Sequence, residues 1–203
     1  MRVIGITGGV GAGKTRILEY LKENTNCDII VADQVANKCK EPGQPCYESI
    51  VALLGKEVLD SDGTIDRKKM ASLIFEDGTL LNKVNNVIHP IVQSFILNKI
   101  EKEKAENKLK VIFLESALLI EAGYLPYLDE LWYIHVDHKE RIRRLQEGRN
   151  YTKEKTESII RYQLSEEEFL GHANVVINNS GSFEETIRQL EKVCQERNFW
   201  KQT

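Results

Sequence analysis

The chain has 203 residues, of which 41% are hydrophobic and 29% charged, with a net charge of −3 and an isoelectric point near 5.9. These values are typical of one globular domain that buries a core, and they argue against a broad nucleic-acid-binding surface, which needs an excess of Lys and Arg. No apolar stretch is long enough to cross a membrane and no signal-peptide pattern precedes the first strand, so we expect a cytosolic protein.

Short apolar segments alternate with helical patterns along the chain. The predicted strands, in order, are Arg2–Thr7, Asp28–Ala32, Lys110–Ser116, Glu130–Val136 and Ala173–Ile177. The predicted helices are Lys14–Glu23, Asp33–Lys40, Tyr47–Gly55, Arg67–Phe75, Leu80–Glu106, Lys139–Glu147, Thr152–Ser165 and Phe183–Arg197. Because strands without polar alternation suit a sheet buried on both faces, this order predicts a three-layer α/β fold with a parallel sheet.

The segment Gly8–Thr15 reads G-G-V-G-A-G-K-T and fits the P-loop pattern G-x-x-x-x-G-K-[ST]. It lies between the first predicted strand and the first predicted helix, where the backbone N–H groups and the helix dipole can face a polyphosphate. We expect Lys14 to reach the β- and γ-phosphates and Thr15 to ligate Mg²⁺. The predicted ATP-binding residues are Gly8, Gly9, Val10, Gly11, Ala12, Gly13, Lys14, Thr15 and Arg16.

The long stretch between the second and third predicted strands is mostly helical. Turn signals interrupt it at Glu41–Pro45 and at Asp60–Gly63. We expect an inserted helical lobe at about residues 40–105, within a single domain that spans residues 1–203.

Asp33 directly follows the second predicted strand, and ligands of parallel sheets bind at the carboxyl ends of the strands. A carboxylate there can deprotonate an acceptor hydroxyl or hold Mg²⁺ through water. The alternative is a helix N-cap, because Asp33 also begins a predicted helix. We favour catalysis because of the position, and the two roles are compatible.

Arginines cluster after the fourth predicted strand. Arg141 and Arg144 share one helical face, Arg143 points elsewhere, and Arg149 lies in the turn that follows. Such a run is commonly a solvated helix face. In a P-loop protein with this order of elements it instead predicts a helical lid at about residues 139–165, whose guanidinium groups meet the charge on a transferring phosphoryl group.

Two classes of P-loop protein compete here: a GTPase-like switch that hydrolyses the triphosphate, and a small-molecule kinase. Each Asn-Lys pair in the chain lacks the Asp that completes the guanine-recognition motif N-K-x-D. The one D-x-x-G match, Asp60–Gly63, lies in a predicted turn and not at the end of a buried strand. The pattern therefore favours a kinase, and a kinase of nucleoside monophosphates or small alcohols remains an alternative acceptor class.

Taken in order, the motifs resemble those of the dephospho-CoA kinase family. The matching segments are Gly5–Thr15, Ala32–Ala36, Glu41–Pro45, Gly55–Leu59, Asp62–Arg67, Ile88–Ile91, Leu118–Glu121, Gln163–Ser165 and Ala173–Gly181. The P-loop alone is shared by many families, whereas the ordered set is specific and extends from Arg2 to about Arg197. The resemblance implies a nucleotide-kinase-like P-loop sheet with a helical CoA-binding insertion and a helical lid.

The resemblance also implies the reaction and the residues that serve it. ATP·Mg²⁺ would phosphorylate the ribose 3′-hydroxyl of 3′-dephospho-CoA, the last step of coenzyme A synthesis. Asp33 has the position of the family's catalytic base, while Lys14 and Thr15 hold ATP·Mg²⁺. The lid arginines would be Arg141, Arg144 and Arg149; the acceptor site would be lined by His89, Pro90, Leu118, Leu119 and Glu121; and Asn178 and Ser180 would border the adenine.

The chain departs from the family pattern at three positions. Val31 stands where the family commonly has an Asp, and Glu115 and Ala117 stand where it commonly has Asp and Pro. Glu115 keeps a carboxylate on a longer arm and, like Asp33, would reach Mg²⁺ through water. We expect activity to survive, with the metal geometry or the acceptor affinity affected.

Other residues are assigned more ordinary roles. His89 is either a helix-boundary residue, because Pro90 follows it, or a histidine that places the acceptor. Trp132 and Tyr133 are expected in the core, and the four cysteines, which form no C-x-x-C, are expected as free thiols. We expect a small-molecule substrate, no nucleic-acid or membrane partner, and a monomer or weak homo-oligomer.

Overall fold

The computed structural model describes residues 1–76 and 78–201, without the side chains of Phe75, Glu76 and Arg149. The chain divides into two compact units. One consists of Met1–Ile30 and the chain from Glu103 onward, and the other of Val31–Lys102.

A five-stranded sheet forms the centre of the first unit. Its strands are β1 (Arg2–Thr7), β2 (Cys27–Val31), β3 (Val111–Glu115), β4 (Glu130–His135) and β5 (Val175–Asn178). Their order in the sheet is β2-β3-β1-β4-β5, and β1 pairs in parallel with both β3 and β4. Central β1 is buried from Val3 to Thr7, as expected for a strand covered on both faces. The predicted parallel α/β sheet is confirmed, with strand ends shifted by one or two residues.

The helices follow the predicted alternation with one exception. They are α1 (Lys14–Asn24), α2 (Ala32–Cys39), α3 (Tyr47–Leu54), α4 (Arg67–Glu76), α5 (Gly78–Glu106), α6 (His138–Arg149), α7 (Lys153–Arg161), α8 (Glu166–His172) and α9 (Phe183–Glu196). Within the described ranges, no helix has both the length and the apolar composition needed to cross a membrane.

The exception concerns the predicted helix Thr152–Ser165: α7 lies within it but ends at Arg161, and the further helix α8 was not predicted. Ser165 caps α8: its hydroxyl accepts from the backbone N–H of Glu168, whose carboxylate accepts from the N–H of Ser165. This reciprocal capping box satisfies two N–H groups and so starts a new helix. Arg149, expected in a turn, is the last residue of α6, and Asn150 (φ 53°) ends that helix.

Aromatic side chains from different parts of the chain form the core of the first unit. The rings of Phe113, Trp132 and Phe199 are almost fully buried, with centroids 5.6–6.4 Å apart. Tyr133 stacks on Phe169 at 4.8 Å. The predicted core roles of Trp132 and Tyr133 are therefore confirmed, since burial of such rings is a large favourable term.

The second unit is helical, and its longest element is α5. The buried residues of α5 recur at every fourth position, so they form one apolar face: Val84, Ile88, Val92, Ile96 and Ile100. Pro90 lies inside the helix, although it removes one backbone donor and crowds the preceding turn. The interpretation of His89 as a helix boundary is therefore wrong, because the apolar face continues on both sides of the proline.

Candidate active site

The P-loop joins β1 to α1, and glycines fix its path. Gly8, Gly11 and Gly13 have φ angles of 145°, 90° and 85°, which L side chains rarely adopt. A Cβ atom on Gly8 would lie 2.6 Å from the carbonyl oxygen of Ile134 in β4, so the neighbouring strand also excludes a side chain there. Consecutive turns of this kind expose backbone N–H groups to an anion.

The first turn of α1 adds positive potential to the loop. Its N-cap residue, Gly13, has no side chain to accept the first N–H groups, and no acidic residue lies in the first turn. Unpaired N–H groups and the helix dipole attract anions at such an end. The loop and the helix end together suit a polyphosphate.

Lys14 is the first residue of α1 and is held at the loop by oxygen atoms. Its Nζ donates to the carbonyl oxygen of Gly8 at 2.7 Å and lies 3.5 Å from Oε1 of Glu115. Glu115 reaches this position because it ends β3 and pairs in register with Ile6 of β1. The side chains of Lys14 and Glu115 are only 12% and 14% exposed, so their attraction is less screened than that of a surface pair.

Two threonine hydroxyls flank the loop in different environments. Thr15, expected to ligate Mg²⁺, is exposed in the first turn of α1. Thr7, the last residue of β1, is fully buried, and its hydroxyl has no hydrogen-bond partner among the described residues. A buried hydroxyl without a partner is costly and marks a candidate functional group. Thr7 was not predicted as a site residue, although a lone polar residue at the end of an apolar strand was a visible signal.

Arg141 and Gln163 hold Val10, at the crest of the P-loop. Nε of Arg141 donates to the carbonyl oxygen of Val10 at 2.9 Å, and the N–H of Val10 donates to Oε1 of Gln163 at 3.1 Å. The Gln163 oxygen also accepts from Nη2 of Arg141. Both backbone groups of Val10 are therefore engaged by the segment from α6 to α8. Burial lowers the pKa of Arg141, which nevertheless remains a cation.

Arg144 reaches the loop through Asn179. Its Nη2 donates to the carbonyl oxygen of Asn179 at 2.8 Å, and Nδ2 of Asn179 donates to the carbonyl oxygen of Ala12 at 2.8 Å. The side-chain oxygen of Asn179 accepts from the buried hydroxyl of Thr186 at 2.8 Å. Asn179, which belongs to the stretch 178–181 expected beside the adenine, is thus the residue after β5 that contacts the P-loop.

The predicted adenine neighbours and Arg16 lie around this network. Asn178 accepts from the N–H of Ser180 through its side chain, and Ser180 accepts from the N–H of Asp137. These bonds shape the turn after β5. The guanidinium of Arg16 lies 3.8 Å from the ring centroid of Phe183, at the start of α9. The structure therefore gives Arg16 a cation–π contact beside the loop.

The other two arginines of α6, Arg143 and Arg149, differ from Arg141 and Arg144. Arg143 points away from the loop, as predicted, and pairs with Glu140 and Glu147 at 2.7 Å. Glu140 also accepts from Nε of Arg144 at 2.7 Å. The side chain of Arg149 is outside what the structure describes.

The predicted acceptor-lining residues after β3 are not equivalent. Leu118 and Glu121 are exposed, but Leu119 is fully buried. A Cβ atom on Gly5 would lie 3.0 Å from Cδ1 of Leu119, so Leu119 packs against the centre of β1. The expectation that Leu119 lines the acceptor site is therefore corrected: it is a core residue.

The predicted site residues of the second unit are exposed. Asp33 is the second residue of α2, whose N-cap position is occupied by Val31. The alternative role of Asp33 as the N-cap is therefore wrong, and its carboxylate belongs to the first turn. His89 and Pro90 are exposed in the middle of α5.

Comparison with known proteins gives consistent similarities. A family model described as dephospho-CoA kinase matches residues 2–185. A dephospho-CoA kinase of Carboxydothermus hydrogenoformans is 35% identical over 199 residues, covering 98% of this chain and 94% of the relative. A solved structure from Thermus thermophilus has a TM-score of 0.81 and 28% identity, covering 96% of this chain and 97% of that chain. The solved dephospho-CoA kinase of Campylobacter jejuni, with a TM-score of 0.73, 23% identity and 96% coverage of each chain, shares the fold.

Proposed function

Because the chain belongs to the dephospho-CoA kinase family, we propose that it transfers the γ-phosphoryl group of ATP to the ribose 3′-hydroxyl of 3′-dephospho-CoA. The family match across residues 2–185 is the observation that carries this conclusion. The P-loop geometry agrees with it, because the loop and the first turn of α1 form an anion site at the carboxyl end of β1.

The donor site uses the first unit. The P-loop amides and Lys14 bind the β- and γ-phosphates, and Arg141 and Arg144 add positive charge beside the loop crest. Phosphoryl transfer needs little covalent help from a protein, so these groups act by position and electrostatic stabilisation in an in-line displacement. Arg149 is a third proposed lid arginine, and Asn178 and Ser180 border the adenine.

Asp33 is the proposed general base. The acceptor hydroxyl must lose its proton as it attacks, and an exposed carboxylate just beyond the end of β2 suits that task. His89, Pro90, Leu118 and Glu121 remain the proposed acceptor contacts, and each is exposed.

The residues at the loop fit a magnesium ion that is bound together with phosphate. Mg²⁺ prefers oxygen ligands and usually binds through one or two carboxylates plus substrate phosphates. The hydroxyls of Thr15 and Thr7 and the carboxylate of Glu115 are oxygen donors of this kind. Among the described residues, no cluster of three or more His, Cys, Asp or Glu could hold a metal alone, which agrees with a site completed by ATP. When bound, Mg²⁺ neutralises charge on the phosphate oxygens.

A reducing compartment, the cytosol, is the proposed location. All four cysteines are free thiols, and burial raises the pKa of Cys46 to about 11 and that of Cys194 to about 12. Thiols held in the neutral form react slowly, as expected of structural cysteines.

An acceptor panel in a coupled ADP-release assay tests the function. We expect ADP release that depends on 3′-dephospho-CoA, with a ³¹P resonance of a 3′-phosphomonoester in the product. Release without any acceptor would indicate a hydrolase, and dependence on a nucleoside monophosphate would indicate another small-molecule kinase.

A further inference from the structure

A small pocket in the second unit is lined by two cations, Lys40 and Arg67. The pocket has a volume of about 240 Å³, and its lining residues include Asn37, Lys40, Glu41, Thr64 and Arg67. Pockets that enclose a whole drug-sized ligand measure about 300–1,000 Å³, so this one fits a single group of a larger molecule. We call it the Lys40–Arg67 pocket.

The end of α2 and the start of α4 explain why Lys40 and Arg67 line the same pocket. Lys40 follows directly on the last residue of α2, and Arg67 is the first residue of α4. A tight turn precedes α4: the N–H of Asp60 donates to the carbonyl oxygen of Thr64 at 2.8 Å, and Gly63 has a φ of 82°. Asp66 accepts from the N–H groups of Lys68 and Lys69, which orders the start of α4 beside the pocket.

Neither cation forms an ion pair with a carboxylate of the described residues. Throughout residues 1–76 and 78–201, the side chains of Lys40 and Arg67 make no hydrogen bond or ion pair, and Glu41 is the one carboxylate in the lining. Burial, and then the charge of Arg67, lower the pKa of Lys40. Lys40 is half-buried and Arg67 is exposed, so water screens part of their repulsion, and an anion bound between them relieves the remainder.

The pocket lies at one end of a helical face that begins with Asp33. Residues 33, 37 and 40 are spaced by four and three positions, so they share one side of α2. With a rise of 1.5 Å per residue, Asp33 and Lys40 are about 10 Å apart along the helix axis. Their charges interact, since Asp33 raises the pKa of Lys40.

This spacing matches the chemistry of the acceptor. In 3′-dephospho-CoA the diphosphate is attached to the 5′ carbon of the ribose that carries the accepting 3′-hydroxyl. Ordinary bond lengths place the diphosphate within ~10 Å of that hydroxyl. We infer that Lys40 and Arg67 bind the diphosphate of the acceptor while Asp33 meets its 3′-hydroxyl. This inference rests on the proposed function and extends it, because it assigns an anion subsite and names the two residues that select an acceptor carrying a diphosphate.

Equilibrium binding of 3′-dephospho-CoA without ATP tests the subsite directly. Calorimetry on Lys40→Met and Arg67→Gln should show dissociation constants raised about 10- to 100-fold, the usual effect of losing a charge-assisted hydrogen bond. Arg67→Lys, which keeps the charge, should recover a large part of the loss. Values within twofold of wild type for both neutral variants would overturn the inference.

Two matched controls separate the subsite from a general charge effect. Lys38→Met removes an exposed charge from α2, and Lys68→Met removes one from the first turn of α4. Neither residue lines the pocket, so both variants should bind the acceptor within about twofold of wild type. Equal losses in controls and pocket variants would show that only net charge matters and would refute the subsite.

Kinetics and stability complete the test. The KM for 3′-dephospho-CoA should rise in the pocket variants while the KM for ATP stays constant; a rise confined to ATP would place the pocket on the donor side instead. The thermal midpoint of Lys40→Met should equal or exceed that of wild type, because a repulsion is removed. A wild-type enzyme inactive on 3′-dephospho-CoA refutes the proposed function, whereas an active wild type with unaffected pocket variants refutes only this inference.

Discussion

The cations beside the P-loop and those of the Lys40–Arg67 pocket are arranged in opposite ways. Lys14, Arg141 and Arg144 each donate to oxygen atoms of the protein. Lys40 and Arg67 have no such side-chain partner within the described ranges. Cations that are already paired can fix the geometry of a loop before any ligand arrives. Unpaired cations instead lower the stability of the unliganded protein until an anion binds.

The difference has a physical consequence for each region. A preorganised donor site spends little free energy on reorganisation when charge develops in the transition state. Enzymes obtain much of their electrostatic stabilisation in this way. An acceptor site that keeps its charge unpaired gains binding free energy from the ligand itself. The variants below test this contrast, in order of decreasing effect.

Lys14→Ala should have the largest effect. It removes the cation that we propose for the β- and γ-phosphates, and it also removes the cation 3.5 Å from the partly buried carboxylate of Glu115. We expect turnover to fall about 100- to 1,000-fold, the usual effect of losing one electrostatic stabiliser of a transition state. Steady-state ADP release measures this, with Lys22→Ala, an exposed residue at the other end of α1, as the control. Unchanged kinetics would contradict the phosphate-site assignment.

Asp33→Asn should follow, with a loss of about 100-fold in turnover and a small change in the KM for ATP, as expected for a general base. The control is Glu48→Gln, which changes an exposed carboxylate in the first turn of α3 as Asp33 does in that of α2. Near-normal turnover of the Asp33 variant would exclude the residue from this role.

Asn179→Ala tests whether the donor site is held by protein groups. Asn179 is 5% exposed, and its truncation removes the donor to the carbonyl of Ala12 and the acceptor of the shortest hydrogen bond of the buried Thr186 hydroxyl. Urea unfolding should give a free energy of unfolding lower by about 1–3 kcal/mol. Asn178→Ala, at an exposed neighbouring position, should cost much less. Equal costs would mean that the network does not hold the loop.

Glu140→Gln should have the smallest effect, about 1 kcal/mol or less, because much of the ion-pair cluster is exposed. Hydrogen bonds from Arg143 and Arg144 hold the pKa of Glu140 at about 2, below its ordinary 4.5. The cluster therefore stabilises the fold fully above about pH 4.5, and that contribution disappears as the pH falls toward 2. Urea unfolding at several pH values should show the gap between wild type and variant closing over this range. A gap that stays constant would contradict the assignment; Glu147→Gln, facing the exposed Arg143, is the control.

The sheet and the P-loop were predictable because their signals are local. Apolar segments such as Val111–Leu114 read as buried strands, and the glycine pattern of residues 8–13 requires no distant partner. The capping box at Ser165 and Glu168 was equally visible, but Ser165 was predicted as the end of the preceding helix and no helix was predicted directly after it. Pro90 wrongly suggested a helix boundary. The local cost of a proline inside a helix is outweighed here by burial of the continuous apolar face of α5.

The partners inside the site could not be read from the sequence, because they are far apart along the chain. Glu115 meets Lys14 only through the register of β1 and β3. After β5, neighbouring residues point to opposite sides, and nothing in the sequence says that Asn179 rather than Asn178 contacts Ala12. The Lys40–Arg67 pocket likewise depends on how the turn at Asp60–Gly63 brings α4 toward the end of α2.

At Gly9, a helix that is distant in sequence restricts which amino acids the P-loop can accept. The P-loop pattern accepts any amino acid at this position, and by pattern alone an alanine would be harmless. In this fold an added methyl group at Gly9 would overlap the guanidinium of Arg141. The substitution would require the Arg141 guanidinium to shift away from its place beside Val10. The choice of amino acid at position 9 is therefore restricted by the side chain of Arg141, which the fold places against the loop.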